Sequence, residues 1–476
     1  CRAVLDKLVG FRGSPLLWSL NNGAKSMGRV QSATLHIVCR RERQIQAFVP
    51  QDYWSVYVDY EEGYRAYYQG TLNAAEVDEP QHDDAASSSD QQVTESEQVL
   101  SEAEANRLVQ QAQQHPHRLV KVEGKTTTRK PPAPFTTSTL QQAAGSKLRY
   151  SPEHTMQIAQ KLYEAGLITY MRTDSVTLSP DFCTAARRWL EAHDPVNVPK
   201  KVAQHRSSKN AQEAHEAIRP TDLTRPSVQL KAELSADEFS LYLLIWKRAV
   251  ASQCQAARLR ITRLLTQSGL VFWQARGQVV EFQGYSRYWN NLSTDSELPV
   301  LQQGQLLQLQ KAAHEQKQTS PPPRYSEPKL VQVMERRGIG RPSTYAPTIQ
   351  TLKQRQYVDT AQGHLEPTSL GLEVDQFLEH ALPDLLEADF TAQMELALDQ
   401  IAEGKEDWQQ YITTWNYDYF IPALERAKKL AVSQAPNSTA ALIGKALALS
   451  RTQCPQCRKY LAKIPSKKVK KKYFLK

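Results

Sequence analysis

YEAGLITYMRTDS, residues Tyr163–Ser175, is the stretch of this sequence that predicts most about its fold and chemistry. It follows Ser151–Glu153 (SPE), which predicts a helix start because Ser is a favoured N-cap and Pro a favoured first helical residue. Gly166 is placed to end that helix. If the chain beyond it is extended, the side chains of Tyr170 and Arg172 point the same way, since alternate residues of an extended segment share a face.

A tyrosine beside an arginine can break a phosphodiester bond. The phenol oxygen is the nucleophile, and the guanidinium neutralises the charge that develops on the phosphorus-bound oxygens. The tyrosine needs such help at neutral pH because its unperturbed pKa is near ~10. A tyrosine held in place by a neighbouring arginine is also a common structural feature, so Tyr170 and Arg172 alone leave both interpretations open.

Charge is unevenly distributed along the 476 residues, which carry 59 Lys+Arg, 50 Asp+Glu and a net charge of +9. The segment 66–106 contains ten acidic residues and no Lys or Arg, whereas 451–476 contains ten basic residues and no acidic one. A basic chain with one segregated acidic segment indicates a polyanionic partner, most often nucleic acid. For the tail alone, a solvated basic segment without a specific partner remains an alternative.

Composition also excludes some classes of protein. Mean hydropathy is −0.56 and no apolar run approaches the ~18 residues that a membrane span needs, so we expect no membrane partner. Four of the six cysteines are widely scattered, which does not fit a disulfide framework and indicates reduced thiols in the cytoplasm. These are Cys1, Cys39, Cys183 and Cys254.

The order of sequence patterns predicts an α+β multidomain chain. Residues alternate between apolar and polar in 52–68, 117–123 and 259–309, which favours strands. Residues 136–259 and 327–433 have helical periodicity. We therefore expect one β-rich domain interrupted by a helical insertion. The acidic segment 76–101 is expected to be a surface loop or a disordered insertion.

The run YEAGLITYMRTDS closely resembles the active-site segment of bacterial type IA DNA topoisomerases. Three further segments resemble that family in the same order: Ser26–Leu35 (SMGRVQSATL), Ala214–Thr221 (AHEAIRPT) and Gly338–Ala346 (GIGRPSTYA). The resemblance implies an ATP-independent isomerase that cuts one strand of negatively supercoiled DNA, passes another strand through the break and religates it. A monomer acting on single-stranded regions in the bacterial cytoplasm is expected.

The resemblance implies a toroidal core with a helical catalytic-tyrosine domain inserted in a β-rich gate domain, plus a winged-helix-like DNA-binding domain. The expected segments are 1–64 and 326–433 for the DNA-binding domain, 65–124 and 257–325 for the gate, 125–256 for the tyrosine domain, and 434–476 for a basic tail. Residues 327–355 followed by 357–370 also fit a helix-turn-helix with a wing, or a generic helical hairpin.

Site residues follow from the resemblance, position by position. Tyr170 is expected to attack the phosphodiester and hold the 5′ end as a phosphotyrosine, with Arg172 on the scissile phosphate and His215 on a phosphate or the attacking oxygen. The expected catalytic residues are Tyr170, Arg172, His215 and Glu164. The expected DNA-binding residues are Arg29, Gln31, Gln160, Thr169, Thr173, Asp174, Arg219, Arg341, Ser343, Thr344 and Tyr345. For Arg29 and Gln31, which begin a basic helix, a helix N-terminal anion site and a solvated helix face both stay open.

Two departures from the family limit these expectations. The family's Toprim domain carries a Glu and an Asp-x-Asp-x-Asp set for Mg²⁺, and this chain contains no Asp-x-Asp. Cys454 and Cys457 form only half of a zinc ribbon, so we expect no tightly bound metal here. The sequence is expected to be part of a longer protein, and by itself to bind DNA while cleaving poorly or not at all. The alternative is a non-catalytic nucleic-acid-binding fragment.

Overall fold

The computed structural model describes residues 1–70, 96–205, 216–225, 227–293, 295–434, 449–453, 460–465 and 473–475. In chain order the helices are α1 Arg2–Trp18, α2 Arg29–Gln46, α3 Glu102–Gln114, α4 Thr137–Leu148, α5 Pro152–Glu164, α6 Pro180–His193, α7 Ser227–Glu233, α8 Ala236–Ser252, α9 Glu327–Arg336, α10 Tyr345–Gln354, α11 Ser369–Ala381, α12 Ala388–Ala402, α13 Trp408–Thr414 and α14 Ile421–Gln434. The strands are β1 Asp52–Tyr60, β2 Tyr64–Tyr68, β3 His117–Arg129, β4 Ala257–Ser268, β5 Val271–Phe282, β6 Leu306–Leu307, β7 Leu309–Gln318, β8 Val358–Ala361, β9 His364–Pro367, β10 Leu449–Gln453, β11 Tyr460–Pro465 and β12 Tyr473–Leu475.

These elements form two compact units. One consists of residues 1–33, 355–357 and 368–476, and the other of residues 34–354 and 358–367. No helix among the described residues is long and apolar enough to cross a membrane.

A seven-stranded antiparallel sheet in the second unit confirms the interrupted β-rich domain. Its strand order is β6-β3-β4-β5-β2-β1-β7, so strands from before and after the helical insertion pair with one another. The sheet begins at Asp52, and the hairpin β1–β2 therefore crosses the expected segment boundary at residue 64. Residues 76–95 of the acidic segment lie outside the described residues, while Val99 bridges to Trp54 beside the sheet.

One face of this sheet packs on α3. The strands alternate buried and more exposed residues, which is why their sequence shows period-two patterning. Burial of each large apolar side chain contributes roughly 1.5–3 kcal/mol, so this interface fixes which face points inward. Its fully or nearly fully buried members include Val58, Leu119, Leu264, Trp273 and Ala275 from the sheet and Ala105, Leu108 and Ala112 from α3.

The helical insertion forms a second core from α4 to α8. The predicted start of α5 is confirmed: Ser151 is the N-cap, its side chain accepts from the His154 amide, and Pro152 is the first helical residue. Helix α4 begins with a capping box between Thr136 and Thr139, and it is buried almost all round.

The predicted helix-turn-helix with a hairpin is confirmed by α9, a tight turn, α10 and the two-stranded sheet β8–β9. Helix α9 packs against α4 at very short range. A Cβ atom added at Gly145 of α4 would overlap the ring of Pro328 in α9, so a side chain larger than hydrogen does not fit there. This contact places the helix-turn-helix directly on the helical insertion.

Candidate active site

Helix α5 ends where the sequence predicts, and its end directs the chain into the candidate site. Gly166 adopts φ +69°, a left-handed conformation that glycine tolerates without strain. The amide of Leu167 donates to the carbonyl of Leu162 at 2.9 Å, which closes the last turn. The chain therefore leaves α5 sharply, and residues 167–175 form a loop.

The loop is hydrogen-bonded to the segment 216–221, so two of the four motif segments lie side by side. Thr169 connects them: its amide donates to the Arg219 carbonyl at 2.9 Å, and its hydroxyl donates to the Ala217 carbonyl at 2.7 Å. The Thr221 amide donates to the Leu167 carbonyl at 3.0 Å. These bonds fix the backbone on the N-terminal side of Tyr170.

Thr137 at the start of α4 fixes the other side of the loop. Its hydroxyl lies 2.7 Å from the Met171 carbonyl and 3.0 Å from the Thr173 carbonyl, to which it can donate, and it accepts from the Thr173 amide at 2.8 Å. The Thr137 amide also donates to the Thr173 carbonyl at 2.9 Å. Thr137 is fully buried, so solvent cannot replace these bonds.

Between these two attachments, side chains alternate in exposure. Tyr170 is 43% exposed and Arg172 is exposed, whereas Met171 and Thr173 are buried. The loop is not a regular strand and bends at residues 171 and 172, but both Tyr170 and Arg172 are exposed. Within the described part of the chain, neither the Tyr170 hydroxyl nor the Arg172 guanidinium is hydrogen-bonded to another residue.

Aromatic and polar residues of α5 border the same loop. The Tyr163 ring meets the Tyr170 ring edge to face, with centroids 5.3 Å apart. Gln160 donates to the Glu164 carboxylate at 2.6 Å, as their i,i+4 spacing allows. The phenol ring of Tyr170 thus packs against Tyr163, while the residue as a whole stays 43% exposed.

Arg219 is already engaged within the protein. Its guanidinium forms two bonds to Glu216, at 2.6 and 2.9 Å, and lies 4.7 Å above the Phe182 ring. Burial raises the pKa of Glu216, but hydrogen bonds from Arg219 and the Ser179 amide outweigh it and leave that pKa below its ordinary value. This ion pair orders the segment 216–221 beside the loop.

A buried acid connects α4 to α9 beneath the same loop. The Ser138 hydroxyl donates to Glu335 at 2.7 Å, and Gln142 donates to the Ser138 hydroxyl at 2.9 Å. Burial raises the pKa of Glu335, and the negative charge of the neighbouring Asp174 raises it further. The hydrogen bonds from Ser138 and Gln142 lower this pKa but do not cancel the rise. Asp174 therefore lies near Glu335. Glu335 itself stands three residues before Gly338, where the GIGRPST turn begins.

That turn precedes α10 and is internally bonded. The Thr344 hydroxyl accepts from the Arg341 amide at 2.8 Å, and the Thr344 amide donates to the Arg341 carbonyl at 2.8 Å. Ser343 is exposed and Tyr345 is buried. The structure thus presents Ser343 outward and uses Tyr345 in packing.

Two further expected DNA-binding residues, Arg29 and Gln31, belong to the other compact unit, which contains residues 1–33. Arg29 begins α2 as predicted, but its side chain is buried and paired with Asp6 at 3.2 Å and with the buried Glu395. Gln31 donates to the Ser26 carbonyl at 3.2 Å. The positive charge of Arg29 is thus paired with two carboxylates inside the protein. The contact of Arg29 with DNA stays a prediction.

Several expectations fall on residues that are not described, among them His215, Cys454 and Cys457. No group of three or more metal-binding side chains occurs in the described ranges. The described residues therefore do not fit the Mg²⁺ site that the resemblance implies for a Toprim domain, and no step below is derived through Mg²⁺.

The structure adds site residues that sequence patterns did not single out: Thr137, Ser138, Gln142, Glu216 and Glu335. The run TTSTLQQ at 136–142 could have indicated these polar contacts, because hydroxyl and amide side chains are unusual in a helix that is otherwise apolar. Nothing in the sequence distinguishes Glu335, since an acidic residue near the end of a helix is common on protein surfaces.

Comparison with known proteins agrees with this site. A family model described as DNA topoisomerase matches residues 1–413. The DNA topoisomerase 1 of Zymomonas mobilis is 40% identical over 433 residues, which is 88% of this chain and 34% of that protein. That of Vibrio cholerae is 37% identical over 463 residues, 96% of this chain and 50% of that protein.

Among solved structures, full-length topoisomerase I from Thermotoga maritima superposes with a TM-score of 0.72 at 31% identity. The match covers 100% of this chain and 73% of that one. The chain spans about half the length of the curated relatives it matches. The matched α+β core and the family match over most of the sequence agree with each other. The chain accordingly belongs to the bacterial type IA DNA topoisomerase family.

Proposed function

We propose that this chain supplies the strand-cleaving part of an ATP-independent type IA topoisomerase, with Tyr170 as its nucleophile. The observation that carries the proposal is that Tyr170 and Arg172, both exposed, lie two positions apart on a loop whose backbone is fixed from both sides. Catalysis by positioning and charge requires this arrangement, because a nucleophile and a cation held in advance need not be organised during the reaction.

In the proposed step the Tyr170 oxygen attacks phosphorus of a DNA strand. The bond between that oxygen and phosphorus forms as the bond from phosphorus to the 3′ oxygen breaks, so the 5′ end stays on Tyr170. The phenol loses its proton and the leaving 3′ oxygen gains one. Arg172 would contact the scissile phosphate and stabilise its added negative charge. The phosphotyrosine retains the bond energy, so religation reverses the step without ATP.

The other expected residues have supporting roles in this proposal. Gln160, Glu164, Thr169, Thr173 and Asp174 order the nucleophile loop, for which the bonds of Thr169 and Thr173 give direct support. His215 and the turn residues Arg341, Ser343 and Thr344 would contact phosphate groups.

The proposed substrate is a single-stranded region of negatively supercoiled DNA in the cytoplasm, and the proposed active species is a monomer. Strand passage through the break would relax the supercoils. The Mg²⁺ ion expected from the family belongs, in this proposal, to a Toprim domain that these residues do not supply.

A covalent-trapping experiment tests the proposal. A labelled single-stranded oligonucleotide is incubated with the chain and with a separately supplied Toprim domain, and the reaction is stopped with denaturant. The expected result is a labelled band at the mass of the protein, which Tyr170→Phe abolishes. Because the Tyr170 hydroxyl bonds no described residue, this variant should keep the unfolding midpoint of the wild type.

Tyr163→Phe is the matched control, since it removes the hydroxyl of the neighbouring ring and should leave the adduct intact. An adduct that survives Tyr170→Phe but not Tyr163→Phe refutes the assignment. Binding of the oligonucleotide without any adduct, even with the Toprim domain present, favours the alternative of a nucleic-acid-binding fragment.

A further inference from the structure

Helix α4 holds both the Tyr170 loop and helix α9 through two adjacent residues of its first turn. The hydroxyl of Thr137 is bonded to backbone groups of the loop. Ser138, the next residue, donates from its hydroxyl to the Glu335 carboxylate of α9 at 2.7 Å. A shift of this turn relative to α9 would therefore move the backbone groups that flank Tyr170.

The first turn of α4 is rigid within itself. Thr136 and Thr139 form a capping box, which pairs amides that a helix start otherwise leaves without partners. All residues of 137–145 except Thr139 are buried, so the turn is packed on several sides. A displacement at Ser138 is therefore transmitted to Thr137 rather than absorbed between them.

Helices α4 and α9 run antiparallel and meet at two points. Ser138 near the start of α4 bonds Glu335 near the end of α9, and Gly145 near the end of α4 contacts Pro328 near the start of α9. The two positions are seven residues apart on each helix, or about two turns, so both contacts lie on one face of each helix. The contact between Gly145 and Pro328 sets how closely the helices approach. Alignment at the other end is left to Ser138 and Glu335.

This helix pair is joined by polar groups, although apolar side chains would stabilise a buried contact at lower cost. Gln142 donates to the Ser138 hydroxyl at 2.9 Å and lies 3.5 Å from the Glu335 carboxylate, and Gln332 of α9 is buried. Hydrogen bonds mainly offset the cost of burying such groups, so their net contribution to stability is small. They are directional, however, and a bonded network specifies one alignment of the two helices. Precision of position explains these residues better than stability does.

Glu335 also belongs to the turn that follows α9. Its carbonyl accepts from the Gly338 amide at 3.0 Å, and Gly338 adopts φ +67°, a left-handed conformation. The Ile339 amide donates to the Met334 carbonyl at 2.9 Å. The backbone of Glu335 thus begins the turn, whereas its side chain holds α4. One residue connects the helix-turn-helix to the helix that fixes the Tyr170 loop.

We propose that Glu335 is a positioning residue for strand cleavage: by holding Ser138 it aligns α4, and α4 aligns the Tyr170 loop through Thr137. The inference rests on the proposed function, because it assigns Glu335 to the reaction of Tyr170. Glu335 acts through two other residues and supplies no group to the reaction itself. Cleavage then depends on how the helix-turn-helix sits against α4.

Rates of adduct formation test this role. A single-stranded oligonucleotide is supplied over a range of concentrations, together with the Toprim domain, at a temperature where every variant is folded. Glu335→Leu removes the acceptor and Ser138→Ala removes the donor. Each should lower the maximal rate by about 5- to 10-fold, less than the roughly 100-fold that a 1 Å misplacement costs. The half-saturating oligonucleotide concentration should not change, because the loop is misaligned while the binding groups are retained.

Two control variants separate positioning from loss of a side chain. Glu335→Gln keeps an oxygen that accepts from Ser138, so it should cleave at close to the wild-type rate. Ser146→Ala removes a hydroxyl from an exposed position of α4 and should also have no effect. Equal losses in Glu335→Gln and Glu335→Leu, or wild-type rates in both Glu335→Leu and Ser138→Ala, overturn the proposal.

A double variant decides whether Glu335 acts through α4. Thr137→Val already releases the loop, so adding Glu335→Leu to it should lower the rate little further. Residues in one network show such non-additive effects, whereas independent residues multiply their effects on the rate. Full multiplication of the two single effects would mean that Glu335 does not act through Thr137, and it would overturn the proposal.

Hydrogen exchange tests the positioning without any chemistry at Tyr170. The Thr173 amide is bonded to the Thr137 hydroxyl, so the peptide that contains it should exchange faster in Glu335→Leu and Ser138→Ala than in the wild type and Glu335→Gln. Unchanged exchange overturns the proposal. Absence of the adduct in the wild type would refute the function of Tyr170, and exchange alone would then show whether Glu335 aligns the loop.

Discussion

Thr137→Val tests whether the proposed nucleophile depends on a clamp that lies outside its own loop. Valine has nearly the shape of threonine but has no hydroxyl. The substitution therefore removes the bond to the Met171 carbonyl and the bond from the Thr173 amide, and it leaves the packing of α4 in place. Tyr170 and Arg172 themselves are unchanged.

The magnitude follows from burial. Thr137 and Thr173 are at most 1% exposed, so water does not satisfy the Thr173 amide once the hydroxyl is gone. A buried donor left unsatisfied costs about 1–3 kcal/mol, and the lost bond to Met171 adds roughly 1 kcal/mol, which gives a total of about 2–4 kcal/mol. Misplacement of a reacting group by about 1 Å costs on the order of 100-fold in rate, so the rate of cleavage should fall by about 10- to 100-fold.

Two assays check this expectation: urea unfolding for the free energy, and the rate of covalent adduct formation for the chemistry. Thr137→Ser is the matched control, because it keeps the hydroxyl and loses one methyl group, worth about 1 kcal/mol. It should cleave at close to the wild-type rate. If Thr137→Val cleaves as fast as Thr137→Ser, the clamp does not position Tyr170 and the reasoning fails.

Two further predictions concern the contact between α4 and α9. Glu335 holds its proton more tightly in the folded protein than in the unfolded chain, so the wild type should lose stability as pH rises above the ordinary value of 4.5. Glu335→Gln removes that dependence. The free energy of unfolding of the variant, relative to that of the wild type, should therefore rise with pH, by a total of about 1.4 kcal/mol for each unit by which the folded protein raises the pKa. Gly145→Ala should destabilise the protein by about 1–2 kcal/mol in urea unfolding, because overlap with Pro328 outweighs the better helix propensity of alanine.

Each has an outcome that contradicts it. A stability difference between Glu335→Gln and the wild type that is constant from acid to neutral pH would mean that Glu335 is not the titrating group. Gly10→Ala is the matched control for the second, since a Cβ atom at this glycine of α1 meets nothing closer than 3.9 Å. It should be neutral or stabilising, and a stable Gly145→Ala would show that the two helices have room to spare.

Local features of the site were predictable because their causes are local in sequence. Ser151 caps α5 through the amide three residues later, and Gly166 ends that helix by its own backbone preference. The exposure of Tyr170 and Arg172 follows from the alternation of neighbouring residues. The expected helix-turn-helix and hairpin are likewise made from contiguous segments.

Features that join distant parts of the chain were not predictable from patterns. Ser138 and Glu335 are 197 residues apart, and Arg29 and Glu395 are 366 apart, so no periodicity or spacing links them. For Arg29 the sequence left an anion site and a solvated helix face open, and it did not indicate that the fold pairs its buried side chain with two carboxylates. A charged residue at a helix start has the same local sequence in either environment.

The sequence by itself determined the family, the nucleophile expected from it and the succession of helices and strands. These depend on residue identity and on spacing within short segments. Tertiary structure decided which backbone groups fix the Tyr170 loop, where Glu335 is buried, and that Ser138 of α4 meets Glu335 of α9. The physical reason is that hydrogen bonds, desolvation and strand register depend on which distant residues meet, and only the folded chain brings those residues together.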